Sequence, residues 1–212
     1  GASPLYLSTT DSTDSNYKEN LLDRATGKIT FTKGAKAAAA LDASSDVRNV
    51  GYTNNGLQIT YNPTYGSVTV DQLLDTAKLF KETMEVMIAT EMAEGTLENV
   101  LAVFGQPSNT LTGTLAKGAT SADNTDQTLG LAAGALGIAP TERQLFAVGQ
   151  ATTVVDPNTE RVYYARRVLS VQQSQFTLAR NNPTTFPVTF RLLPDANYSG
   201  SEYGKIIDRV NA

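Results

Sequence analysis

Residues 185 to 193, Thr-Phe-Pro-Val-Thr-Phe-Arg-Leu-Leu, place Phe186, Val188, Phe190 and Leu192 on one side and Pro187, Thr189 and Arg191 on the other. A period of two is that of an extended strand with one face in a core, and a helix would scatter the same residues around its circumference. Shorter stretches repeat the pattern: Ile29 and Phe31 flank Thr30, and Leu57, Ile59 and Tyr61 are separated by Gln58 and Thr60. Turn-forming residues punctuate these runs. Asn54-Asn55-Gly56 lies before one, and Asn62-Pro63 with Gly66 lies before Val68 and Val70, so the spacing predicts a meander of hairpins. Two further strands are expected at Gln144 to Thr152 and Arg161 to Val171. Pro187 cannot donate to a ladder and is expected at a sheet edge or a strand start.

Residues 77 to 94, AKLFKETMEVMIATEMAE, fit two templates. Phe80, Met84, Met87, Ile88 and Met92 have helical spacing, and composition favours a helix; Met84, Val86, Ile88 and Met92 also fit strand alternation. We expect a strand over the second half, because Gly95 interrupts the segment and a better helix begins directly after it. In that helix, Thr96 to Phe104, Thr96 serves as cap, Glu98 suits the first turn, and Leu97, Val100, Leu101 and Phe104 form the apolar stripe. Gly105 and Pro107 end it. Ala37 to Leu41 is long enough for a single helical turn.

The fold class that follows is mainly β: a β-sandwich or partial barrel with one flanking α-helix (about 96–104) and long loops. With no repeat or linker, residues 1–212 read as one domain. Residues 1–27 are a polar N-terminal arm carrying an apolar cluster, Pro4, Leu5, Tyr6 and Leu7. That cluster either docks on a neighbouring subunit or forms a terminal edge strand of its own domain. Residues 108–141, rich in Gly, Ala, Thr, Ser and Asp, read as a long loop or insertion.

Composition narrows the function. A net charge of −4 and a pI near 4.9 disfavour phosphate-backbone binding, although an acidic surface can face DNA without holding it. Cysteine, histidine and tryptophan are absent, which removes thiolate chemistry, the commonest general base and the commonest metal ligand. An enzyme is therefore not expected, and neither is a cofactor or a bound metal. No apolar run is long enough to span a membrane as a helix, and the N-terminus lacks a basic region followed by an apolar one, so the chain reads as soluble and unsecreted.

Candidate motifs carry plain readings. Gly130, Gly134 and Gly137 lack the spacing of a nucleotide loop and suggest a flexible small-residue loop. Asp11 with Asp14, and Asp123 with Asp126, resemble fragments of a calcium loop but lack its glycine and distal glutamate, so turns explain them better. Glu82, Glu85, Glu91 and Glu94 form the one carboxylate cluster; on a strand, Glu85 and Glu91 share a side away from Met84 and Val86 and would present acidic charge on an exposed or lumen-facing surface. Arg161, Arg166 and Arg167 beside Tyr163 and Tyr164 form a basic, aromatic stretch whose Arg166 and Arg167 point to opposite faces. Pairing with carboxylates of a neighbouring strand or subunit is the expectation there, with Arg166 and Arg167 as subunit contacts.

The order of these elements resembles the major tail tube protein of long-tailed, siphovirus-like bacteriophages. The likeness is carried by EMAEGTLENVLAVFG, where a glutamate-bearing strand leads into the short helix containing Thr96-Leu97-Glu98-Asn99-Val100-Leu101, by ERVYYARRVLSV, and by TTFPVTFRLLPDANYSGSEYGKIIDR, whose late strand runs from Pro187 to Asp195. It covers roughly residues 50 to 105 and 143 to 209. The resemblance implies a virion protein, assembled in the bacterial host cytoplasm, in which six copies close into a ring and rings stack into a hollow tube. Its partners would be itself and other tail proteins, with DNA passing through without specific binding and no membrane anchor. Alternatives are a tail terminator, a capsid cement protein, or a carbohydrate- or surface-binding β-sandwich, which would need clustered exposed aromatics where the tyrosines look scattered.

Overall fold

Antiparallel pairing organises the chain, and one strand changes partners midway to turn a single sheet into two layers. The computed structural model describes residues 4–22, 29–69, 76–116, 125–134, 137, 139–151, 158–171 and 184–210. Its elements in chain order are β1 (Leu5–Ser8), α1 (Ala37–Asp42), β2 (Val47–Asn49), β3 (Thr53–Thr69), β4 (Thr76–Met92), α2 (Leu97–Val103), β5 (Leu111–Ala116), β6 (Thr125–Leu129), β7 (Arg143–Gln150), β8 (Thr159–Ser170), β9 (Phe186–Leu192) and β10 (Gly204–Val210). The main sheet runs β2-β1-β7-β8-β9-β4-β3, with β10 also on β8; β5 and β6 form a separate hairpin. The fold is thus mainly β, an antiparallel sandwich or partial barrel with α2 at its flank, as the sequence pattern predicts.

The partner change occurs at a β-bulge. Between Arg143↔Val168 and Leu145↔Ala165, β8 carries one residue more than β7. Before the bulge, residues 159 to 165 pair with β10; beyond it, Val168 to Ser170 pair with β9. Bulges bend a strand and re-aim its side chains. Here the bend lets one ladder serve two layers and sends Arg166 and Arg167 in different directions.

Strands β1, β7 and β8 are covered on both faces, which explains why β7 reads Gln-Leu-Phe-Ala-Val without alternation. Leu5, Leu7, Leu145, Ala147, Ala165 and Val168 meet β4, β9 and α2 through Val86, Ile88, Met92, Val103, Phe186, Val188 and Phe190. On the opposite face, Tyr6, Phe146, Val148, Val162 and Tyr164 pack under Leu21, Ile29 and the α1 residues Ala37 and Leu41. Phe146 and Tyr164 stack with centroids 4.6 Å apart. Ile29 and Phe31 therefore cover the sheet from an irregular segment, where alternation suggested a strand.

Several sequence expectations are corrected. Leu5, Tyr6 and Leu7 are 0–1% exposed in β1, a strand held between β2 and β7, and the Pro4 carbonyl accepts from Val148 N–H. Leu5, Tyr6 and Leu7 are core of the chain itself and not a docking patch, because consecutive apolar residues on a two-sided strand are consumed by the two faces; Pro4, ahead of the strand, is half-buried. The turns expected at 54–56 and 62–66 lie inside a single strand, β3. Asn55 (φ 60) and Gly56 (φ 70) use their tolerance of positive φ for a bulge against β4, and Pro63 is accommodated because β3 is the edge of the sheet. Within 108–141, the chain makes a 3-10 turn at Ser108–Thr110 and the β5–β6 hairpin. Pro187 sits at the second position of β9, where β8 has not yet joined.

Helix α2 begins as expected, with Thr96 accepting from Asn99 N–H, and closes on Gly105 (φ 62), whose N–H reaches Ala102 O while Gln106 N–H reaches Leu101 O. Its buried face is different from the predicted stripe. Asn99, Leu101, Ala102 and Val103 are buried; Leu97 and Val100 are half-buried, and Phe104 is 36% exposed. The reason is polar: Asn99 Nδ2 donates to Val50 O (2.8 Å) and Glu94 O (3.0 Å), and its Oδ1 accepts from Arg48 (2.6 Å), so the helix rolls to bring an amide inward.

Candidate functional site

Hairpin β3–β4 is the feature that the rest of the chain does not account for. Residues 77–94 resolve in favour of a strand, Thr76–Met92, extending past the half expected from sequence. β9 pairs with β4 only over Met87–Met92, so from Val86 outwards β4 is laddered to β3 alone. The stretch from Thr76 to Val86 is eleven residues, which at about 3.3 Å per residue projects a two-stranded ribbon roughly 35 Å beyond β9.

Register assigns its faces. Ile59↔Ile88, Tyr61↔Val86 and Pro63↔Met84 are direct pairs, so these β3 residues lie on the side of the sheet that holds the core. A bulge then skips a residue in β4, and Tyr65↔Lys81 and Ser67↔Leu79 continue the same face. Along this face Val86 and Ile88 are buried, whereas Ile59 (41%), Tyr61 (57%), Tyr65 (57%) and Leu79 (64%) are exposed. Phe80 (46%) and Val68 (43%) lie on the reverse. The core face of the sheet thus continues outwards with the apolar composition of a core and no cover among the described residues.

Lys81 is the polar centre of the patch. Its Nζ donates to Tyr61 Oη (3.0 Å) and lies 5.5 Å from the Tyr61 ring, and the hydrogen bond to Tyr61 is the main reason its pKa is raised. Tyr65 and Tyr203 also act on it electrostatically, and Tyr203 Oη donates to Met84 O (3.2 Å). Tyrosines that look scattered in the sequence are therefore gathered by the register.

The four glutamates do not converge. Glu85 and Glu91 do share a side, as alternation requires, opposite buried Val86 and Met92. Glu85, 35% exposed at its side chain, faces Arg191 at 3.6 Å. Glu91 accepts from Asn54 (3.0 Å), Asn55 (2.9 Å) and Thr185, so it serves the bulge at the hairpin base. Glu94 accepts from Tyr52 N–H (3.0 Å), and Glu82 lies over Gly66.

The arginine stretch resolves into three roles. Arg161 forms a fork on Asp208 across β8–β10 (2.6 and 2.7 Å), whose hydrogen bonds hold that carboxyl below its usual range. Arg167 forms a second fork on Glu142 beside β7 (2.6 and 2.7 Å). Both match the expected pairing with carboxylates of neighbouring strands. Arg166 is 2% exposed; it stacks on Tyr198 at 3.8 Å and donates to Asn20 Oδ1, Ser201 O and Ser201 Oγ, which removes it from any subunit rim.

Asp11 and Asp14 are turn residues, accepting from Thr13 N–H (2.9 Å) and Asn16 N–H (2.8 Å). Asp11 does more than turn the chain: fully buried, it also receives Ser108 N–H (2.5 Å) and Arg143 Nη2 (3.1 Å). Burial pushes its pKa up, but the hydrogen bonds from Thr13 and Ser108 outweigh this and hold it below the usual value. Nearby, burial and then the charge of Arg143 draw Arg48 down to about 10. Sequence reasoning missed this cluster, since Asp11, Gln106, Ser108 and Arg143 converge only through the fold. Asp123 lies outside the described residues, and Asp126 is exposed on β6. Gly130 N–H donates to Thr110 O (2.8 Å), finishing the β5–β6 hairpin, and Gly134 and Gly137 have positive φ.

Among the described residues, no helix is long and apolar enough to cross a membrane. No protein-family model matches the chain, and no curated protein matches it.

Proposed function

We propose that the chain is a structural subunit that works by associating with copies of itself and, on the resemblance of its sequence, that it is the tail tube protein of a long-tailed phage. Six copies close into a ring, rings stack, and DNA passes through the hollow without specific binding. In this reading the protein resides in the virion after assembly in the bacterial cytoplasm, beside other tail proteins, and no residue carries catalysis or a cofactor.

The observation that carries the proposal is the outer half of β3–β4. An isolated two-stranded ribbon is marginal in water, and an uncovered apolar edge strand invites pairing. Ile59, Tyr61, Tyr65 and Leu79 extend a core face into solvent, so a neighbouring subunit is the natural cover. The opposite face carries Glu85, one of the two carboxylates expected to face a lumen. Leu5, Tyr6, Leu7 and Arg166 are buried within the chain and are left out of the contacts in this reading.

The test is negative-stain microscopy and light scattering of the purified chain over a concentration series. Rings and tubes are expected. Rings without stacking would point to a terminator or cement protein, and a persistent monomer at high concentration would overturn self-assembly. Tyr61, Tyr65 and Tyr203 around Lys81 favour a second reading, a carbohydrate-binding surface; saturable binding on a glycan array, lost in Tyr61→Ala, would support it.

A further inference from the structure

The face of β10 turned toward Val162 and Tyr164 carries Lys205, Ile207 and Arg209. With Asn20, Leu22, Ile29, Phe31 and Lys33 and the Asn197–Ser201 turn, they line a cleft of about 1050 Å³. Its charge runs against that of the chain: Lys33, Arg166, Lys205 and Arg209 line it, and its one carboxylate among the described residues, Asp208, is held by the Arg161 fork. The whole chain is at −4.

Arg209 is the distinctive group. Nη2 donates to Thr32 O and the guanidinium lies 5.1 Å from the Phe31 ring, but Nη1 is buried without a partner. A buried donor left unmade is costly, and a guanidinium with a free donor suits an oxyanion. The ring faces nearest the cations are taken, Phe31 by Arg209 and Tyr198 by Arg166, so the cleft offers charge and donors in place of a stacking platform.

We propose that this cleft binds a small polyanion, a phosphate- or carboxylate-bearing molecule met by the Arg209 guanidinium, with Lys33 and Lys205 completing the charge. The assignment is independent of self-assembly.

Isothermal titration of the full chain with sodium pyrophosphate, and in parallel with citrate, tests it at low and at physiological ionic strength. One saturable site per chain is expected, and the tighter probe identifies phosphate or carboxylate as the source. Arg209→Gln should weaken binding about tenfold or more, and Arg209→Lys, which keeps the charge but loses the fork, by less. Lys205→Gln should weaken it by a smaller factor. Lys78→Gln, an equal charge change on the exposed hairpin, should leave it unchanged. Circular dichroism melts establish folding; if Arg209→Gln does not fold, Arg209→Lys and Lys205→Gln decide. Absence of saturable binding to both probes, or an equal loss in Lys78→Gln, would overturn the proposal.

Discussion

Replacing Asp11 tests whether the polar N-terminal segment is locked to the body by a buried charge. Its carboxylate is 0% exposed and takes Thr13 N–H, Thr13 Oγ, Ser108 N–H and Arg143 Nη2, and the Arg143 side chain is only 7% exposed. Arg143 has little else: Nη2 also reaches Gln106 O (3.0 Å), and Nε is buried without a partner. Removing one member of a buried ion pair strands the other charge and costs about 3–5 kcal/mol. For a chain of this size that lowers Tm by about 6–20 °C. Asp11→Ala should reach this range in urea unfolding followed by tyrosine fluorescence, and Asp11→Asn, which keeps an acceptor for Thr13, should fall below it. The pH dependence has a definite sign. Because the folded pKa is depressed, the stabilisation is present in full above the unfolded value near 4 and is lost as pH falls through the still lower folded value, so the gap between wild type and Asp11→Asn closes only in acid. A cycle with Arg143→Met should show coupling of about 1–3 kcal/mol. An Asp11→Asn variant within about 0.5 kcal/mol of wild type, or strict additivity in the cycle, would refute the reasoning.

Other expectations separate packing from surface. Leu101→Ala, at a buried α2 position, should cost about 2–5 kcal/mol, whereas Phe104→Ala should cost less than about 1, reversing their equal weight in the sequence stripe. Tyr164→Phe removes a hydroxyl placed between Gln144 Oε1 (2.6 Å) and Asn20 Oδ1 (3.1 Å) and should cost about 1–2 kcal/mol by thermal or urea unfolding. Leu79→Asp with Tyr65→Asp should leave subunit stability within about 0.5 kcal/mol and abolish higher-order species in sedimentation velocity; intact assembly in that variant would move the contact away from the hairpin.

How far the sequence could be read depended on whether a strand had one covered face or two. β9 has one, and Phe186 to Leu192 announce it residue by residue. β1 is covered on both faces, so Leu5, Tyr6 and Leu7 present no alternation, and the segment passes for a sticky patch on a loose arm. Asn55-Gly56 gives the same local signal for a turn and for a bulge, and only the long partner β4 decides between them. The α2 stripe was misjudged because apolar periodicity gives no weight to Asn99, whose amide is matched to Val50, Glu94 and Arg48 from distant segments. β3–β4 is the instructive remainder. There the alternation of Leu57, Ile59 and Tyr61 has the pattern of a strand with one buried side, yet the chain half-covers Leu57 and leaves the other two largely open. A pattern written for a core and left in water is either a defect or half of an interface. Continuity with the Val86–Ile88 core face favours the interface, because a second subunit laid along Ile59, Tyr61, Tyr65 and Leu79 would extend an existing core without repacking it.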